Sequence, residues 1–335
     1  MSNFKKLMMA AAGGGVSEYF AGGQGANTAD ITVFDHTTPG SLSVASSYRG
    51  VGSYNQKAAA WSPAGGYAAF GTTSSEVTLM DVSNPASISR AAAFSLAANP
   101  RALSFSPSGD YIGVAIDDNT LRLLDHTTAG SLSLATTYTF HTMCFGNSFT
   151  RSSDDYIVCA TYNNPPVVLL DHTTAGSLSF ATSITFTGGV TDVCFSGDDN
   201  YIVCGDNTTT VRVLDHTTAG SLSLSSSYSA GARQRCVDFS VDGNYIVYTL
   251  DNGDVILLDH TSPGTLTRAA TVSGILNGNG SSAVFTKDEA GSYVFACSFA
   301  LNSVKLLDHT TPGSLSTAAT HSISPGCSGG DWSPV

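Results

Sequence analysis

Six Asp-His pairs are the residues whose types most invite chemistry: Asp35-His36, Asp125-His126, Asp171-His172, Asp215-His216, Asp259-His260 and Asp308-His309. A carboxylate beside an imidazole serves metal ligation and acid–base catalysis alike. Their spacing argues against both. Each pair opens a nearly unchanged nonapeptide, DHTTAGSLS in the copies at Asp125, Asp171 and Asp215, and a degenerate copy, DVSNPASIS, begins at Asp81. Successive Asp residues are 46, 44, 46, 44, 44 and 49 positions apart, so each pair belongs to one unit of a repeat. Metal ligands must converge to about 2 Å from a shared ion, and one pair per unit keeps the histidines roughly a unit apart. The pattern therefore reads as a structural turn at Asp35, Asp81, Asp125, Asp171, Asp215, Asp259 and Asp308. In this reading the carboxylate accepts backbone N–H bonds from the two Thr that follow, the Gly supplies a positive φ, and the His fills a stacking position between turns. No metal and no cofactor are expected.

The elements that position these turns are short strands. The repeat around Asp125 shows strand a at Ala102–Ser106, a Pro-Ser-Gly-Asp turn, strand b at Tyr111–Ile116, a polar loop at Asp117–Thr120, strand c at Leu121–Leu124, and strand d at Ser131–Tyr138. Tyr19, Tyr67, Tyr111, Tyr156, Tyr201, Tyr245 and Tyr293 open seven b strands, and Trp61, Phe105, Phe149, Phe195, Phe239 and Phe285 mark six a strands. The seventh a strand is found at the other end of the chain, where GGDWSP at 329–334 repeats the pattern of AAWSP at 59–63. The fold class predicted is all-β, a seven-bladed β-propeller of four-stranded antiparallel blades. Its closing blade combines residues 17–48 with an innermost strand from 327–335, removing the edges an open array would expose. Residues 16–335 form one domain and residues 1–15 an N-terminal arm.

Composition narrows the function classes. Only 12% of residues are charged, about half the usual share, and the net charge is −12, with no basic run beyond Lys5-Lys6; nucleic acid is not an expected partner. No apolar run reaches the 18 residues of a membrane helix, so no membrane span is expected. The seven cysteines lack any CxxC pair and sit mostly in apolar strand patterns, which reads as reduced core residues. Asp-Asn clusters at 117–119, 206–207 and 251–254 lack the ligand spacing of a calcium loop and read as turns. The two histidines outside the repeat, His141 and His321, stand alone. The expectation is a protein without enzymatic activity and without catalytic residues.

Leu-Asp at the end of strand c, as in Leu124-Asp125 and Leu170-Asp171, and the strand-a sequence Phe105-Ser106-Pro107-Ser108-Gly109 resemble the WD-repeat and lactonase-like superfamily of seven-bladed propellers. The Gly-His pair of the WD repeat is absent, so its buried network is not carried over, and the resemblance implies fold rather than function. The leader MSNFKKLMMAAAGGG, with the low charge and abundant Gly, Ser and Thr, resembles bacteriophage virion proteins. That resemblance implies a capsid or tail accessory scaffold, made in the host cytoplasm and carried in the virion, whose partners are other virion or assembly proteins. The alternative is a secreted or periplasmic propeller binding a glycan or protein through its loop face. Partner-binding candidates are Phe4, Lys5, Lys6, Leu7 and Met8 in the arm, and Arg49, Lys57, Arg101, Arg233 and Arg235 in the variable d-to-a loops. These loops share a face with the b-to-c loops, opposite the monotonous a-to-b and c-to-d turns.

Overall fold

The computed structural model describes residues 19–24, 30–49, 54–276, 281–287, 292–298, 303–323 and 327–332. These form 28 strands in seven four-stranded antiparallel sheets, and the fold is an all-β propeller of four-stranded blades. Six sheets take their strands consecutively. The remaining sheet, blade 1, joins Tyr19–Gln24, Asp30–Asp35 and Ser43–Arg49 to Cys327–Trp332, in the order 327–332, 19–24, 30–35, 43–49. Phe20 pairs with Trp332 across that junction and Gly22 with Gly330. The arm candidates Phe4, Lys5, Lys6, Leu7 and Met8 lie outside the described residues.

The inner strands of blades 2 to 7 are Tyr54–Trp61, Pro100–Phe105, Cys144–Phe149, Val190–Phe195, Gln234–Phe239 and Ser281–Phe285. Blade 3 shows how closely sequence pattern and strand agree. Strand b is Tyr111–Ile116, as its apolar run requires; strand a begins earlier than its alternation suggests, at Pro100, and strand d later, at Ser133. The delay has a local cause: the Ser131 amide donates to Thr128 O at 3.0 Å, and Gly130 at φ +75° turns the chain before pairing resumes. A bulge between Leu123 and Leu124 then sets the register of strand d.

The apolar interior lies between blades rather than within them. Strands b and c are buried on both faces, as Ile112, Val114, Leu121 and Leu123 show. Seven buried clusters each draw on two neighbouring sheets: Leu79 of blade 2 packs with Phe105 and Ile112 of blade 3, Val33 of blade 1 with Trp61 and Phe70 of blade 2, and Phe34 of blade 1 with Phe295 and Leu306 of blade 7. At about 25 cal/mol per Å² of apolar surface removed from water, these seams are the main stabilising term. The d strands, by contrast, face outward and leave Leu134, Phe180 and Leu224 about half exposed.

Candidate active site in the central channel

The Asp-His pairs sit where they build seams. Asp125 Oδ1 accepts the Thr127 amide at 2.9 Å and the Thr127 hydroxyl at 2.7 Å, and the same pair of bonds recurs at Asp171, Asp215, Asp259 and Asp308. Only the first Thr serves the carboxylate; the carbonyl of the second, Thr128, accepts from Ser131. Each His turns inward. His126 Nδ1 donates to Gly109 O at 2.9 Å, which places the proton on Nδ1, and the ring lies edge-on to Tyr67 of the preceding blade at 5.1 Å and to Phe105 of its own at 5.8 Å. Equivalent contacts join His172 to Tyr111, His216 to Tyr156, His260 to Tyr201, His309 to Tyr245 and His36 to Tyr293. At Asp81 the carboxylate still holds Ser83, while Val82 replaces the His and packs in the cluster that includes Tyr19. The imidazoles are buried wedges between blades, and among the described residues no group of three or more His, Cys, Asp or Glu is placed to hold a metal.

This geometry makes the turns sensitive to acid. Hydrogen bonds from the Thr127 and Thr217 hydroxyls, then from their amides, hold Asp125 and Asp215 below the ordinary carboxylate value. A folded pKa below the unfolded one, about 3.9, contributes stability above that value and loses it as pH falls through the folded pKa. Melting temperature should therefore decline between about pH 5 and 3, and less steeply in the Asp125→Asn, Asp215→Asn double variant. Parallel wild-type and variant curves over that range would show that these turns carry no linkage.

Two of the loop-face cations are committed to internal pairs. Arg101 pairs with Asp117 and reaches over the Phe145 ring, and Arg235 pairs with Asp251. Each joins the start of a strand a to the b-to-c loop of its own blade. Arg233 places Nε in a buried position, Arg49 ends an outer strand with its side chain exposed, and Lys57 lies in the inner strand of blade 2.

Chemistry converges instead on the channel enclosed by the inner strands. A cavity of about 590 Å³ is lined by inner strands of blades 2 to 7 and extends to the a-to-b turns at Pro63, Pro107, Arg151, Gly197, Val241 and Lys287. Arg151 reaches across it: Nη2 donates to Asp238 Oδ1 at 2.9 Å, two blades away, and to Cys194 Sγ at 2.8 Å in the blade between. The Cys194 thiol in turn donates to Asp238 Oδ1 at 3.2 Å, and the Phe285 amide of blade 7 donates to Asp238 Oδ2 at 2.9 Å. One carboxylate thus ties together four blades. Asp192 lines the same wall and accepts the Val237 amide at 3.0 Å.

Burial by itself lowers the Arg151 pKa, but Cys194 and Asp238 beside it prevail and raise it above its ordinary value, so the guanidinium stays cationic. Burial pushes the Cys194 thiol up to about 11 against the pull of Arg151. At neutral pH it is a thiol that positions Asp238, not a thiolate nucleophile. The other described cysteines, Cys144, Cys159, Cys204, Cys236 and Cys297, are buried and unbridged.

Comparison with known proteins bears on this channel. The WD domain, G-beta repeat family matches residues 180–215, the outer strand of blade 4 followed by strands a, b and c of blade 5. No curated protein matches the chain in sequence. The periplasmic gluconolactonase PpgL of Pseudomonas aeruginosa superposes with a TM-score of 0.79 at 14% identity, covering 95% of this chain and 99% of that one. A Bacteroides uniformis protein assigned as a 6-phosphogluconolactonase gives 0.77 at 12% identity, covering 94% and 99%. The Cps50 (Swd1) β-propeller domain of Myceliophteria thermophila gives 0.64 at 13% identity, covering 82% and 88%. The chain shares their propeller fold.

These findings correct the expectation of a non-enzymatic virion scaffold. None of these structures is a bacteriophage protein, and the higher-scoring two are lactonases by name. The physical reason is that loop variability marks the opposite face, whereas the ionisable cluster is built at the channel end nearest the monotonous turns. Arg151 was nevertheless visible in the repeat. Two positions after each strand-a aromatic the chain carries Pro63, Pro107, Arg151, Gly197, Val241, Lys287 and Pro334, and one position before it Ala60, Ser104, Ser148, Cys194, Asp238, Val284 and Asp331. Charged residues where other copies are small or apolar were the available signal.

Proposed function

We propose that the chain is a hydrolase of cyclic esters, a lactonase, whose site is the Arg151–Cys194–Asp238 cluster with Asp192. The observation that carries this reading is a cationic guanidinium held across a cavity of about 590 Å³ by a buried carboxylate two blades away. The lactonases of like fold support it. Nη2 makes both of the guanidinium bonds named above, and about a fifth of the Arg151 side chain stays exposed; Nε and Nη1 serve the substrate. Water adds to the ester carbonyl while Asp192 takes its proton, and the electron pair displaced onto the carbonyl oxygen is met by Arg151. Collapse breaks the ring C–O bond, the leaving oxygen recovers the proton from Asp192, and the product is an open hydroxy acid. The periplasmic relative supports the secreted or periplasmic placement over the virion.

The test is acid release from glucono-δ-lactone in a pH-stat. The wild-type chain is expected to exceed the spontaneous rate, and Asp192→Asn to lose about 100-fold or more in kcat, within the usual range for removing a positioned general base. A wild-type rate equal to buffer would overturn the reading.

We further propose that blade 1 closes a seven-bladed ring. The inner strand at 327–332 lies beside the inner strands of blades 2 and 7, and His36 of blade 1 meets Tyr293 of blade 7 at 4.6 Å. The channel is then a site only when the ring is complete, because Arg151 and Asp238 are held apart by the inner strand between them.

A further inference from the structure

A second station lies in the same channel. Asn147 on the inner strand of blade 4 is 7% exposed, and its Nδ2 donates to Ser104 Oγ of blade 3 at 2.8 Å. Its Oδ1 is buried without a partner, and of the buried polar side-chain atoms in that condition among the described residues it alone lines the large cavity. A carbonyl oxygen of this kind takes a hydrogen bond from whatever enters.

The position is built for it. Corresponding residues two before the strand-a aromatic are Ala59, Leu103, Val193, Val237, Ala283 and Gly330, so an amide stands where the other copies are apolar. Opposite it, Gly113 of strand b replaces Ala69, Val158, Val203, Val247 and Phe295 of other blades. A Cβ at Gly113 would lie 2.5 Å from Asn147 Nδ2 and 3.3 Å from the Phe149 ring. A side chain there would displace the amide from Ser104. Ser104, Gly113 and Asn147, from two blades, thus hold one amide head at the channel wall with its Oδ1 buried and without a partner.

We propose that Asn147 is a specificity-determining residue that accepts a hydrogen bond from a substrate hydroxyl, so that the channel selects polyhydroxylated lactones over unsubstituted ones. The inference rests on the lactonase reading and deepens it. A site that fixes a hydroxyl through a buried acceptor rejects the analogue lacking it, because the acceptor is then left without a partner. An apolar wall would not discriminate in this way.

The experiment compares glucono-δ-lactone with δ-valerolactone, for wild type, Asn147→Leu and Asn147→Asp. Leu occupies the matching position of blade 3, so the fold accommodates it, and Asp restores an acceptor that the Ser104 hydroxyl can hold. Asn147→Leu should lower kcat/KM for glucono-δ-lactone by about 10- to 100-fold and change that for δ-valerolactone less than about twofold, with Asn147→Asp recovering most of the difference. Equal losses on both substrates, or no loss on either, would overturn the assignment. Should wild type hydrolyse neither lactone, the hydrolase reading fails by itself and calorimetry with gluconate and hexanoate decides the station. Both are singly charged, and tighter binding of gluconate that disappears in Asn147→Leu supports it. Equal affinities in wild type, or no binding of gluconate, reject it.

Discussion

Replacing Arg151 with Met should reduce lactone hydrolysis by about 100- to 1000-fold, the range seen when a preorganised donor to a developing oxyanion is lost. The same change strands Asp238, whose side chain is only 8% exposed, without its cation. Breaking a fully buried pair costs roughly 3–5 kcal/mol; because about a fifth of the Arg151 side chain meets the channel, about 2–3 kcal/mol is expected here. Urea midpoints measure that loss, and the pH-stat measures the rate. The two effects separate in the Arg151→Met, Asp238→Leu double variant, which removes both charges and should recover most of the stability while remaining inactive. A double variant that regained activity would show that Arg151 serves the fold alone, and a single variant of wild-type rate would remove it from the reaction.

Deleting residues 327–335 should have the larger effect on folding. The strand Cys327–Trp332 supplies the inner edge of blade 1 through its pairing with Tyr19–Gln24, and its removal leaves that strand's N–H and C=O groups unpaired beside the inner strand of blade 2. Such an edge is a template for pairing with another chain. The expected outcome is loss of a single cooperative urea transition and a shift from monomer to aggregate in size-exclusion chromatography. A peptide of residues 327–335 added in trans should restore part of both by strand addition. An unchanged midpoint and elution volume would show that the seventh sheet contributes nothing to closure.

The architecture was legible because the features that specify it are periodic. Tyr at the start of strand b, the aromatic of strand a and the Asp turn recur at the same offsets, and the structure uses all three in one joint: His126 meets Tyr67 and Phe105 together. The split blade was legible too, since GGDWSP repeated a strand-a pattern with no partner nearby, and Trp332 is found paired with Phe20. The site was not legible for the complementary reason. Arg151, Cys194 and Asp238 stand in three different repeats, and nothing in their linear separations of 43 to 87 residues marks them as neighbours until the inner strands are set side by side. The pairs adjacent in sequence, Asp beside His, do no joint chemistry because their side chains diverge: the carboxylate bonds to its own turn and the imidazole enters the seam.

That repeated seam has a consequence for how the channel acquires chemistry. Because the joint at each turn is made by Tyr, His and the strand-a aromatic, the residue one position before that aromatic can differ from copy to copy while the joint is kept. Alanine, serine, cysteine, valine and aspartate all stand one position before it in different copies, without altering the Tyr-His contacts recorded at six seams. Each inner strand therefore behaves as an address whose content can be rewritten singly. A set of near-identical copies can in this way diverge into an asymmetric site, one wall position at a time, while every intermediate keeps the same frame.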